Sequence, residues 1–137
     1  MTRYEDVAQT DEWGCAAACV ASLLNAPYDQ ALKWLEHEKG KSVDQRPEGF
    51  EIDEIAHALF GQGIKVVADW YPVDPIPDGS ILCIHGPGRY KGYHYVLKVP
   101  GGYMDPWFDL VPNVRRACVR ASLPEKTSVY VALLQTP

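Results

Sequence analysis

The chain has 137 residues, 47% hydrophobic and 23% charged, a balance that suits one globular domain burying roughly two-thirds of its unfolded surface without disulfides or metals. It excludes a disordered tail. Thirteen Lys+Arg against eighteen Asp+Glu leave a net charge of -5, the wrong sign for covering phosphates, so nucleic acid is not expected as the main partner.

Residues 14–24 form the first strong element, eleven positions without a charge and rich in alanine, the best helix former. A helix apolar on every side is a buried one. Residues 28–38 put Ala31, Leu32 and Leu35 on one face and Asp29, Gln30, Lys33 and Glu36 elsewhere, the pattern of a surface helix packed on a core. Residues 52–59 repeat it with Ile52, Ile55, Ala56 and Leu59, and Gly61 or Gly63 supplies the stop. From Ile64 the vocabulary turns to short β-branched and aromatic runs bounded by Gly and Pro, at 64–68, 80–85, 93–99, 103–105 and 129–134. Helices first and an antiparallel sheet second predict an α+β fold, in one domain over residues 1–137, with a buried helix packed on the sheet. The Pro/Gly-rich stretches 73–79 and 86–92 are too short for interdomain linkers and read as connections.

No apolar run approaches the ~20 residues of a membrane span, and residues 1–6 lack the basic start and apolar centre of a signal peptide. A soluble, cytoplasmic chain is expected, with Cys15, Cys19, Cys83 and Cys118 kept as thiols. Cys15 falls in the first turn of the buried helix, where unpaired N–H groups and the positive end of the macrodipole favour a thiolate; the alternative is a small apolar residue packed at a helix start. Gln9, six residues earlier, is placed to turn its amide back toward that terminus, where with the Cys15 N–H it would aim two donors at an oxyanion.

His94 begins a run that alternates His94, Val96 and Lys98 against Tyr95, Leu97 and Val99, the period of a strand. After the turn at 100–102, Asp105 lies on the returning strand as a carboxylate able to orient the imidazole. A two-residue turn at Gly101 and Gly102 would set Asp109 opposite His94. A four-residue loop over 99–102 pairs Asp105 with Val96, one same-face step, ~7 Å, from the position opposite His94. Asp105 is preferred, with Asp109 as the alternative.

The order Gln9, Cys15 at the start of a buried helix, His94 on a strand and Asp105 followed by Pro resembles the papain-like cysteine peptidases. The likeness is greatest to the small bacterial branch that processes bacteriocin leaders, and it runs from Gln9 to about Trp107. The chain departs from that branch at Ala16, where Gly usually follows the nucleophile, and at Gly14, where Asp usually precedes it. The resemblance implies a papain-like fold and a catalytic group of Cys15, His94 and Asp105 with Gln9 as oxyanion donor. The implied activity is cleavage of a peptide or isopeptide-type amide bond, with no cofactor or metal. The same residues would serve a deamidase or a transglutaminase-like effector, and a silent domain of this fold would bind a peptide. A chain this short has little room for its own specificity subsites, so an adaptor or partner protein is a further expectation.

The remaining candidates read more plainly. Cys19, one turn after Cys15, is a core thiol; a Cys15/Cys19/His zinc site lacks a fourth ligand. Cys83 and Cys118 default to packing or surface positions. His85 is the second candidate base, His57 a structural helix histidine and His37 a surface one. Trp13 and Trp107 either wall the cleft or fill the core. Residues 86–92 lack a phosphate-loop pattern and read as a loop beside His94, and Arg115, Arg116 and Arg120 as a solvated basic cluster.

Overall fold

The computed structural model describes residues 4–10, 13–40, 49–86, 93–107 and 116–136. Three helices, α1 (Cys15–Leu24), α2 (Tyr28–Lys39) and α3 (Ile52–Gly61), precede six strands: β1 (Val66–Trp70), β2 (Ile81–His85), β3 (His94–Val99), β4 (Gly102–Asp105), β5 (Cys118–Arg120) and β6 (Ser128–Gln135). The α+β class expected from the segregation of helix and strand patterns is the one observed. Among the described residues no helix is long and apolar enough to cross a membrane.

Alanine does more in α1 than favour the helical backbone. Ala16, Ala17, Ala18, Cys19, Val20 and Ala21 are at most 1% exposed, and their small side chains let α1 pack against α2, α3 and β3 at once. Asn25, in the left-handed region at φ 52, closes α1, and Gly40 at φ 78 closes α2 with its N–H on the Glu36 carbonyl. At the start of α3 the Glu54 side chain accepts the Glu51 N–H at 2.7 Å, half of a capping box. Lys39 joins α2 to α3: its ammonium lies 3.3 Å from Glu54 and over the Phe50 ring, while its stem is buried.

The sheet is antiparallel throughout, in the order β1-β6-β2-β3-β4-β5. Its helix-side face, with Ile81, Cys83, Tyr95, Leu97, Val99, Met104, Val131 and Leu133, shares one core with the helices. Leu82, Ile84, Val96 and Ala132 alternate to the other face, under Ile76. Tyr95 reaches through the core to donate its hydroxyl to the Phe50 carbonyl at 2.8 Å, which fixes the segment before α3 to β3.

Two elements differ from the sequence reading. The first strand begins at Val66, not Ile64, because the Ile64 N–H is held by the Leu59 carbonyl at 2.9 Å, which ties Ile64 back to the last turn of α3. The segment read as a solvated basic cluster contributes a strand, β5, paired to β4 with Tyr103 opposite Arg120 and Asp105 opposite Cys118.

That pairing constrains Gly102. A Cβ built there would fall on the Arg120 carbonyl oxygen and lie 3.2 Å from Val119 Cγ1, so a side chain at this position must push β5 away from β4. Gly102→Ala is expected to cost about 2 kcal/mol, a fall of roughly 8 °C in thermal midpoint, read by circular dichroism melting. An unchanged midpoint would contradict this contact.

Candidate active site

The turn between β3 and β4 decides what faces His94. Leu97 pairs with Met104, Lys98 with Tyr103 and Val99 with Gly102, leaving Pro100 and Gly101 as the turn, with Gly101 at φ 83. This is the preferred register, reached by a tighter turn than the four-residue loop envisaged, because Val99 and Gly102 pair as well. Continued by one residue, it sets Asp105 beside Val96, on the face that carries His94. The remaining step along the strand is spanned by the side chains: His94 Nε2 lies 2.7 Å from Asp105 Oδ1. The alternative, Asp109, lies outside the described residues.

Asp105 is wholly buried and receives more than the imidazole. The Trp107 N–H donates to Oδ1 at 3.1 Å and Arg120 Nε donates to Oδ2 at 2.9 Å. Burial pushes this carboxyl up, but the His94 hydrogen bond and charge, with the Trp107 and Arg120 bonds, hold it below the usual carboxylate value. For His94 burial disfavours the charged ring. The bond to Asp105, a second bond to the Cys15 side chain and the charges of both outweigh that and push His94 up to about 10. Nε2 is the ring nitrogen that Asp105 engages.

Cys15 is the first residue of α1, with Gly14 as N-cap. It is half-buried, whereas Cys19 and Cys83 are buried. Burial, with the Cys15 charge next, pushes the Cys19 thiol well above the ordinary value and Cys83 up to about 12. Cys118 is raised too, by burial and by the charge of Asp105. Gln9 is 2% exposed, and its N–H donates to the Pro106 carbonyl at 3.3 Å. That bond ties the segment before the nucleophile helix to the turn after Asp105. Upstream, Ser22 holds the same segment along α1 through the Glu5 carbonyl at 2.6 Å.

The structure therefore brings Cys15, His94 and Asp105 together, with His94 hydrogen-bonded to Asp105 and Gln9 fastened beside Asp105. It adds Arg120, which the sequence reading set aside. The available signal was the alternation of Cys118 and Arg120, but three residues are too few for a strand period to stand out.

His85, the second candidate base, is engaged elsewhere. Its ring lies 5.6 Å from Tyr93 and 5.7 Å from Tyr130, in an aromatic group that Trp70 and Tyr71 join through Tyr130. His57 and His37 are exposed on α3 and α2. Trp13 is 38% exposed, and Trp107 is half-buried with its backbone on Asp105. Residues 87–92 and Arg115 lie outside the described residues. No group of three or more His, Cys, Asp or Glu side chains able to hold a metal occurs among the described residues. Compared with known protein families and with curated proteins, the chain matches none.

The two shifts set a pH window for stability. His94, raised from 6.5 to about 10, stabilises the fold fully below about 6.5, and this contribution is lost as pH rises through about 10. Asp105, lowered from 3.8, stabilises above that value, and its contribution is lost as pH falls through its depressed value. The stability difference between wild type and His94→Gln, measured by urea denaturation, is therefore expected to be greatest near pH 5 to 6 and to shrink toward pH 10. A difference that stays constant over that span would refute the charged-pair assignment.

Proposed function

We propose that the protein is a papain-like thiol hydrolase acting on a peptide or isopeptide-type amide. One observation carries this reading: a half-buried thiol at the N-terminus of a buried helix stands near enough to an imidazole to influence its ionisation, and that imidazole is held by a buried carboxylate. A core cysteine needs none of these neighbours. Hydrogen bonding explains why a buried His and Asp are tolerated, but not why the thiol they serve is the least buried of those along α1.

In this mechanism the His94 imidazolium pairs with the Cys15 thiolate, which attacks the carbonyl carbon. The developing oxyanion is taken by the Cys15 N–H at the helix terminus and by the Gln9 amide. His94 then gives its proton to the leaving amine, and the thioester is hydrolysed when His94 withdraws a proton from water. Asp105 keeps the ring oriented and favours its charged form through both half-reactions. An amine acceptor in place of water would give acyl transfer, and a glutamine side chain as substrate would give deamidation, with the same four residues in the same roles.

Alkylation by iodoacetamide, followed by peptide mass spectrometry across pH, tests this before any substrate is known. Cys15 is expected to label at least tenfold faster than Cys19, Cys83 and Cys118 at pH 6, a selectivity of the kind that thiolate character and exposure confer. His94→Ala is expected to abolish that advantage. A Cys15 that labels no faster than the others in the folded protein would leave a peptide-binding domain as the better reading.

A further inference from the structure

Two of the three donors on Asp105 come with its own turn and strand pair: Trp107 is two residues on, and His94 lies on the adjacent strand. The third comes from farther along the chain. Arg120 sits at the end of β5, an edge strand of three residues, and reaches Oδ2 at 2.9 Å with its side chain only 18% exposed. The β4–β5 register puts Cys118 opposite Asp105 and Arg120 opposite Tyr103. Arg120 and Asp105 are therefore diagonal neighbours on one face, a separation that a long side chain spans.

The charge of the site gives this contact a role. On the thiol-hydrolase reading, which this inference rests on, the reactive form holds a thiolate, an imidazolium and a carboxylate. Their sum is one uncompensated negative charge in a site where the imidazole and the carboxylate are buried. Such a charge is relieved by proton uptake, which returns Cys15 to the thiol or neutralises Asp105. A guanidinium brings the count to two cations and two anions, and it does not deprotonate anywhere in the working range.

We propose that Arg120 is a positioning residue for the Cys15–His94–Asp105 group: by occupying Oδ2 it leaves Oδ1 aimed at His94, and its fixed charge balances the group with the thiolate ionised. It acts through Asp105, not on the reacting atoms. An arginine that only fastened β5 to the sheet would share the geometry but not the effect on proton uptake. Losing it would lower stability and leave the ionisation of the site where it was.

The pH profile of Cys15 alkylation separates the two roles. In Arg120→Gln the acid limb is expected to move to higher pH by about one unit, since removing a neighbouring cation favours every protonated form. At the foot of that limb the labelling rate then falls about tenfold. Arg120→Lys keeps the charge and is expected to hold the midpoint close to wild type even where its melting temperature drops. Val119→Ala, which loosens β5 without touching the charge, is expected to lower the melting temperature alone. Should the glutamine variant fail to fold, Arg120→Met, which keeps the aliphatic stem, replaces it. A folded neutral variant with the wild-type midpoint overturns the proposal, as does an equal shift in the lysine variant. A wild-type Cys15 that is not selectively labelled overturns the hydrolase reading itself, whereas selective labelling with unmoved Arg120 variants overturns only the role of Arg120.

Discussion

A carboxylate with no surface open to water destabilises the fold by several kcal/mol unless donors surround it, and Asp105 is such a group. Meeting that requirement brings together parts of the chain that local preference would not. The imidazole arrives from β3, a backbone N–H from the turn that follows, and the guanidinium from β5. The Gln9 N–H on Pro106 then anchors the N-terminal segment next to the same turn. Without the carboxylate, the short edge strand would lose the charged centre that its arginine reaches.

The other half of the site depends on size, not charge. An N-terminus can be presented to a strand only if the helix behind it comes close, and the run of alanines in α1 permits that approach. Larger side chains would hold α1 off the sheet by an ångström or more, a displacement that severely weakens a thiol–imidazole bond. The buried helix and the buried carboxylate thus make complementary demands. One sets how closely α1 approaches the sheet, and the other sets the orientation of the ring.

Much of this was legible in residue patterns. The uncharged alanine run announced a buried helix, and the alternation from His94 to Val99 announced a strand with His94 and Lys98 on one face. The choice of Asp105 followed from a register argument that the Val99–Gly102 pairing supports. Arg120 was not legible, because its role depends on a strand of three residues lying beside β4, a long-range event with almost no local signature. The start of β1 was misplaced for a related reason. Ile64 has the composition of a strand, but the end of α3 takes up its N–H, and composition alone does not show which of two neighbours a backbone group will join.

The position of β6 has a consequence for how the molecule comes into being on the ribosome. This strand is inserted between β1 and β2, although every residue of the site, from Gln9 to Arg120, precedes it in the chain. Until residues 128–135 emerge, β1 and β2 have no partner between them and the helix-side face of the sheet lacks Val131 and Leu133. The six strands therefore join into one continuous sheet only after every residue of the site has been translated. β1, which no other strand of the sheet contacts, is joined to the layer that carries the site by that last strand alone.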